Sequence, residues 1–101
     1  MAFTEITKKG LTTFSLETGI DPERMSVHIS EAEPGTRLHP PHTHAGLEGF
    51  YVLEGHGTVE SAGGRQPIGP NEVVIVDASK PHGLINTRTT KMRYIVIIAK
   101  A

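Results

Sequence analysis

The sequence contains no cysteine, so the fold does not depend on disulfides, and any metal site has to be built from nitrogen and oxygen donors. It also lacks an excess of charge of either sign: 10 Lys and Arg stand against 11 Asp and Glu, for a formal charge of −1. No run of like charges occurs, and the basic residues are scattered instead of lying along one stripe. Both features argue against a phosphate-tracking surface and hence against nucleic acid as a partner. Long apolar runs are missing as well. The longest, Ile95 to Ala99, is far short of a membrane-spanning helix. The N-terminal MAFTEITKKG has no apolar core of the kind a signal peptide needs. A cytoplasmic protein with no membrane contact is the expectation.

What remains is a chain of 101 residues, the size of one domain, so residues 1–101 are read as a single unit. Gly and Pro divide it into short pieces at Pro34-Gly35, Pro40-Pro41, Gly55-His56-Gly57, Gly63-Gly64, Gly69-Pro70 and Pro81, which leaves no room for long helices. The pieces between are rich in β-branched and aromatic residues, notably Gly49 to Leu53, Glu72 to Val76 and Arg93 to Ile98, and read as strands. Met25 to Ser30 alternates apolar and polar residues, the period of a strand with one buried face. Within the first 24 residues, Ile6 to Leu16 reads as one or two strands, and Asp21 to Arg24 as a turn or a single helical turn. Many short strands separated by turns fit an all-β sandwich or a closed barrel, between which composition does not choose. Val73 to Val76 and Ile95 to Ile98 are apolar at every position, which fits strands covered on both faces, by the barrel interior and by a partner subunit. A homodimer is expected on that ground; the alternative is a set of ordinary exposed Val and Ile.

Six histidines are present, three of them close together at His39, His42 and His44. On an extended chain, His42 and His44 leave from the same face and can converge on one point. Glu48 keeps that parity, directly or across a short bend at Ala45-Gly46, and brings a third donor within reach. Gly55 then supplies a turn at the end of the strand that carries the carboxylate.

These residues closely resemble the first motif of the cupin superfamily, which runs from a glycine through His-x-His, three residues, a glutamate, six residues and a second glycine. Here it runs from Gly35 through His42-Thr43-His44 and Glu48 to Gly55, with six residues where five usually precede the first histidine, an insertion at Pro40-Pro41. The end of the second motif is matched by Lys80-Pro81-His82-Gly83-Leu84-Ile85-Asn86. Upstream, Asn71-Glu72 stands where the family has Gly-Asp, and Asp77 where it has a proline; Asn can adopt the positive φ that the glycine would supply.

The resemblance covers residues 34–98 and implies an all-β double-stranded β-helix, a jelly-roll barrel, preceded by an N-terminal extension over residues 1–24. It implies one divalent metal ion per chain, held by His42, His44, Glu48 and His82. Glu48 shares parity with Phe50 and Val52, so an inward carboxylate without a cation would face an apolar lining. His39 either extends the site, shuttles protons above the metal or belongs to the inserted loop. Arg37 either pairs with an anionic substrate or is a surface charge. His28, on the parity of Ser26 and Ser30, and His56, in a Gly-x-Gly turn, are expected to face solvent. Asn86 is expected to support strand packing.

Three neutral imidazoles and a carboxylate around a divalent ion leave a net charge near +1 and two adjacent open positions on an octahedral metal, suited to a bidentate oxygen ligand. Iron(II) or manganese(II) is the expected metal, with zinc, nickel and copper also compatible. Two functions follow. One is a metal-dependent enzyme, an oxygenase, isomerase or lyase acting on a small oxygen-rich or carboxylate molecule, with His39 and Tyr51 or Tyr94 as the available additional bases, Tyr51 being expected to point outward because its parity is opposite to that of Glu48. The other is a non-catalytic binding or sensing module anchored by the same metal.

Overall fold

The computed structural model describes residues 3–8, 10–38 and 43–100, without the side chains of residues 7 and 8. These residues form nine strands: β1 (Phe3–Lys8), β2 (Leu11–Leu16), β3 (Met25–Ala32), β4 (Leu47–Glu54), β5 (Gly57–Ser61), β6 (Gly64–Ile68), β7 (Val73–Asp77), β8 (Gly83–Ile85) and β9 (Met92–Ala99). They pair antiparallel into a six-stranded sheet of order β1-β2-β3-β9-β4-β7 and a three-stranded sheet of order β6-β5-β8. No helix among the described residues is long and apolar enough to cross a membrane. The stretch from Ile6 to Leu16 resolves into two strands, turning at Gly10 with φ 73°. Asp21 to Arg24 is a turn, closed by Arg24 N–H and Met25 N–H donating to Asp21 O and capped by Glu23 N–H donating to the Asp21 carboxylate.

The period-2 geometry of the strands sorts side chains between the two faces of each sheet. On β4, Glu48, Phe50 and Val52 are buried, and on β9 so are Met92, Tyr94 and Val96. Register sets Phe50 opposite Val96 and Val52 opposite Tyr94. Val59 on β5, Ile68 on β6 and Leu84 on β8 close the core from the second sheet. The inner face of β3 carries Ser30 and Ala32, both fully buried, with His28 on the same parity and half-buried. This corrects the expectation that His28 faces solvent: its parity is the inner one. The apolar parity of β3, Val27 and Ile29, is the outer one, where Val27 lies opposite Ile97 and Ile29 opposite Ile95. His56 is exposed, as its turn position implied.

Two turns decide where the strands end. Asn71 takes φ 63°, as its place in the motif suggested. Gly55 has φ 84° and follows a register irregularity of β4 against β9. A Cβ at Gly55 would lie 2.7 Å from Lys91 O and 2.9 Å from Met92 Cα, so neither the dihedral nor the space tolerates a side chain. Gly55→Ala is therefore expected to destabilise the fold by more than the roughly 1–2 kcal/mol that the left-handed conformation alone costs. Thermal melting should show a Tm lower by at least about 5 °C.

Candidate metal centre

Glu48 enters the barrel because β4 alternates, and the strand that carries it is held on both sides, with Glu48 opposite Val76 on β7 and Ile98 on β9. His44 lies just ahead of β4 in a loop that bends at Gly46, φ 96°, the bend allowed for at Ala45-Gly46. That loop is pinned by two backbone hydrogen bonds, from His44 N–H to Ala78 O at 2.8 Å and from Ala78 N–H to Gly46 O at 3.0 Å. His82 follows Pro81 at the head of β8 and is fully buried. Its neighbour Asn86 donates to Ala32 O and Thr90 O at 2.9 and 2.8 Å and accepts from Arg88 N–H, so it ties the strand ends together, as anticipated.

Three side chains from these separate elements converge. Nε2 of His44 is 2.9 Å and Nε2 of His82 is 3.1 Å from the same Glu48 oxygen, Oε1. The two rings stand edge to face, with centroids 5.0 Å apart. Candidate donor atoms from all three residues lie within 4.8 Å of one another. The other nitrogen of each ring is also engaged: Nδ1 of His44 lies 3.1 Å from Ala45 O, and Nδ1 of His82 lies 2.9 Å from Lys80 O. A carbonyl only accepts, so both Nδ1 atoms must carry hydrogen, and in neutral imidazoles the Nε2 lone pairs then point at the carboxylate.

This donor set fits a divalent ion. Lone pairs aimed at a carboxylate oxygen repel it unless a proton or a metal cation stands between them, and imidazoles fixed by Nδ1–H to a carbonyl are the usual form of metal-binding histidine. With metal–nitrogen bonds of about 2.0–2.1 Å, neighbouring ligands of an octahedral ion lie about 3 Å apart, close to the two spacings measured here. His42 and His39 lie outside the described residues.

Arg37 is already committed. It forms a two-pronged ion pair with Glu60, which holds the Glu60 carboxyl below its usual range and the guanidinium above its own. Of its two readings, the surface charge is the one this contact supports. Tyr51 points to the outer face and donates to Asn71 Oδ1 at 3.2 Å. Tyr94 is inside: burial pushes its phenol far up, the Glu48 carboxylate adds to this, and the nearby Ser30 hydroxyl opposes it. Sequence reasoning overlooked Ser30; the signal that finds it is its parity with Ala32, two residues on.

Comparisons with known proteins agree with this architecture. A family model described as cupin domain matches residues 28–98. No functionally curated protein matches the chain in sequence. Among solved structures, the chain is similar to a Thermotoga maritima protein described as a predicted oxalate decarboxylase, with 21% identity and a TM-score of 0.83, over 99% of this chain and 93% of that one. It is also similar to the cupin domain of an XRE family transcriptional regulator from Enterobacter cloacae, with 16% identity and a TM-score of 0.81, over 92% and 99%. A sugar phosphate isomerase of the cupin superfamily from Silicibacter pomeroyi matches with 21% identity and a TM-score of 0.76 over 91% of this chain, which spans only 60% of that protein. At these identities the likeness speaks for the fold alone. With two antiparallel sheets closing around a buried Glu48 and His82, and with the family match over residues 28–98, the chain belongs to the cupin domain family.

Proposed function

We propose that the chain binds one divalent metal ion, iron(II) or manganese(II), through His42, His44, Glu48 and His82, and acts as a metal-dependent enzyme on a small oxygen-rich molecule. The observation that carries this is the convergence of two carbonyl-anchored imidazoles on one buried carboxylate oxygen. When bound, the ion supplies Lewis acidity and two adjacent positions for a chelating oxygen ligand. The chain's own residues hold the rings in the Nδ1–H tautomer, keep His82 and Glu48 away from bulk water, and leave His44 half-buried. Protein reconstituted with iron(II) or manganese(II) should turn over, or take up oxygen with, at least one member of a panel of small acids, diols and phenols. No turnover with any of them overturns the enzymatic reading.

A second reading, a sensing or storage module using the same centre, draws on one observation. Of the tyrosines considered as extra bases, Tyr51 donates to Asn71 on the outer face and Tyr94 is sealed in the core, so neither stands free to take a proton from a bound molecule. This reading predicts ligand binding without turnover in the same panel.

We also propose that the chain is a homodimer joined through the outer face of the large sheet. Leu47, Val73, Ile75 and Ile97 are 52%, 57%, 65% and 40% exposed. With Gly49, Tyr51 and Ala99 they line one shallow, almost wholly apolar groove. A contiguous apolar patch of this kind marks an interface. The groove is lined by no charged residue that would select an oppositely charged partner, and a sheet face can meet its own copy across a two-fold axis. Ile75→Glu is expected to convert a dimer into a monomer in sedimentation at micromolar concentration while leaving Tm of the separated chain nearly unchanged. Wild-type protein sedimenting at the single-chain mass ends the proposal.

A further inference from the structure

A cavity of about 350 Å³ is lined by Ser26, His44, Ala45, Ile98 and Lys100, so a molecule inside it touches a residue of the candidate metal centre directly. Register explains the meeting. Ile98 of β9 lies between Ser26 of β3 and Glu48 of β4, opposite both, and packs against the core on the inner parity of Tyr94 and Val96. Ser26 is half-buried, on the inner parity of Ser30 and Ala32. It therefore stands on the same rung as Glu48, two strand spacings or roughly 10 Å away. Lys100 follows two residues after Ile98. Its backbone N–H donates to Arg24 O at 2.8 Å, which carries the β3–β9 pairing past the strand ends, and its Nζ donates to Pro22 O at 2.6 Å.

The charges that face this cavity are of one sign. A carbonyl takes up one of the three donors of an ammonium and cancels none of its charge, and none of the ion pairs between the described residues engages Lys100. No acidic residue is among the described residues of the lining. At the His44 end, a divalent ion held by three imidazoles and one carboxylate brings a second net positive charge. Ala45 and Ile98 between the two ends are apolar, and a low-dielectric wall strengthens both attractions. Such a cavity favours a molecule with an anionic group at each end over one with a single anionic group. Arg37, the cation first considered for an anionic substrate, is held by Glu60 and is not part of this lining.

We propose that Lys100 and Ser26 bind a carboxylate at the far end of the ligand, so that the preferred ligand is a small diacid with one chelating end at the metal centre. This names the ligand class of the centre proposed above and rests on that reading; it holds for turnover and for binding without turnover alike. Lys100 supplies the opposite charge and Ser26 a hydroxyl donor, and the two set specificity without ligating the ion.

The test uses manganese(II)-loaded wild-type protein, Lys100→Met, Lys100→Arg and Ser26→Ala. Manganese affinity is read by electron paramagnetic resonance. Calorimetry reads the binding of two matched pairs of 2-oxo acids, 2-oxoglutarate against 2-oxopentanoate and 2-oxoadipate against 2-oxohexanoate. Within a pair the chelating end and the carbon count are the same, and only the far carboxylate differs. The wild type is expected to favour at least one diacid over its partner by about 10-fold, the scale of a hydrogen bond to a charged group. Lys100→Met should cut that preference to less than about 2-fold, below the energy of one such bond, whereas Ser26→Ala should reduce it about 3-fold. Lys100→Arg, which keeps the charge, should retain most of it. Manganese affinity should stay within about 2-fold of wild type in all three variants, again less than one hydrogen bond. Wild-type protein that binds no manganese overturns the metal centre itself, and the diacid site that rests on it. Intact manganese binding with equal affinities inside both pairs overturns the diacid site alone. A preference that survives in Lys100→Met also overturns it, and a lower Tm in that variant would then assign Lys100 to tying the end of β9 to the turn at Pro22.

Discussion

Glu48→Gln is expected to weaken manganese(II) or iron(II) binding by at least about 100-fold, because loss of even an outer-shell partner of a metal ligand costs 10–100-fold and Glu48 Oε1 is the atom on which both imidazoles converge. Thermal shift reads this directly. At a free metal concentration of 100 times Kd, the wild type should gain about 2.7 kcal/mol, a rise in Tm of about 11–20 °C for a chain of this size. The variant, whose Kd then equals or exceeds that concentration, should keep at most about 0.4 kcal/mol of the gain. The metal-free proteins separate two roles for the carboxylate. A structural ion pair, broken by the amide, would lower stability by about 3–5 kcal/mol. A carboxylate placed for a cation lies buried beside Phe50 and Val52, where its charge is expensive without one, so the amide should leave metal-free Tm equal or raised. Metal titration with melting curves on both proteins decides the matter.

Phe50→Ala is expected to have the largest effect on the fold itself. Phe50 is fully buried near the middle of β4, opposite Val96 of β9 and Val74 of β7, so its ring has partners on both neighbouring strands. Large-to-small changes of this kind cost about 3–5 kcal/mol, a substantial part of the 5–15 kcal/mol that holds an ordinary domain together. The melting temperature should fall by at least about 12 °C. Because Phe50 is two residues from Glu48 on the same face, the variant should bind metal less tightly, and the loss relative to wild type should be larger with metal than without it. Equal losses with and without metal would show that the site does not depend on this wall.

The sequence was most readable where chemistry and backbone geometry impose the same residue. The spacing of His44, Glu48 and His82 drew attention to three side chains that do meet, the Ala45-Gly46 bend lies where parity allowed for it, and Asn71 takes the positive φ its position demanded. Strand β3 was visible from its alternation, and β4, β7 and β9 from their apolar β-branched and aromatic residues. Strands β5, β6 and β8 were not: β8 has three residues, and β6 carries Arg65, Gln66 and Pro67, a composition tolerated because β6 is an edge strand. The orientation of β3 was misread for a more instructive reason. Alternation tells which residues share a face but not which face is inside, and the usual rule, apolar inward, fails when the outer face is itself apolar and the interior is hydroxyl-lined. The pairing of Arg37 with Glu60, twenty-three residues apart in sequence, depends on tertiary proximity that no local pattern reveals.

The three converging groups are not held with equal firmness. Glu48 belongs to a central strand and His82 is sealed beneath the surface, whereas the imidazole of His44 is 27% exposed and hangs from a loop fastened by two contacts with Ala78. A cation leaving this pocket would therefore shed its bond to His44 first, by peeling of that loop, and depart without any separation of the sheets. Its residence time then reports how often the His44–Ala78 clasp opens, a local event on a faster clock than global unfolding.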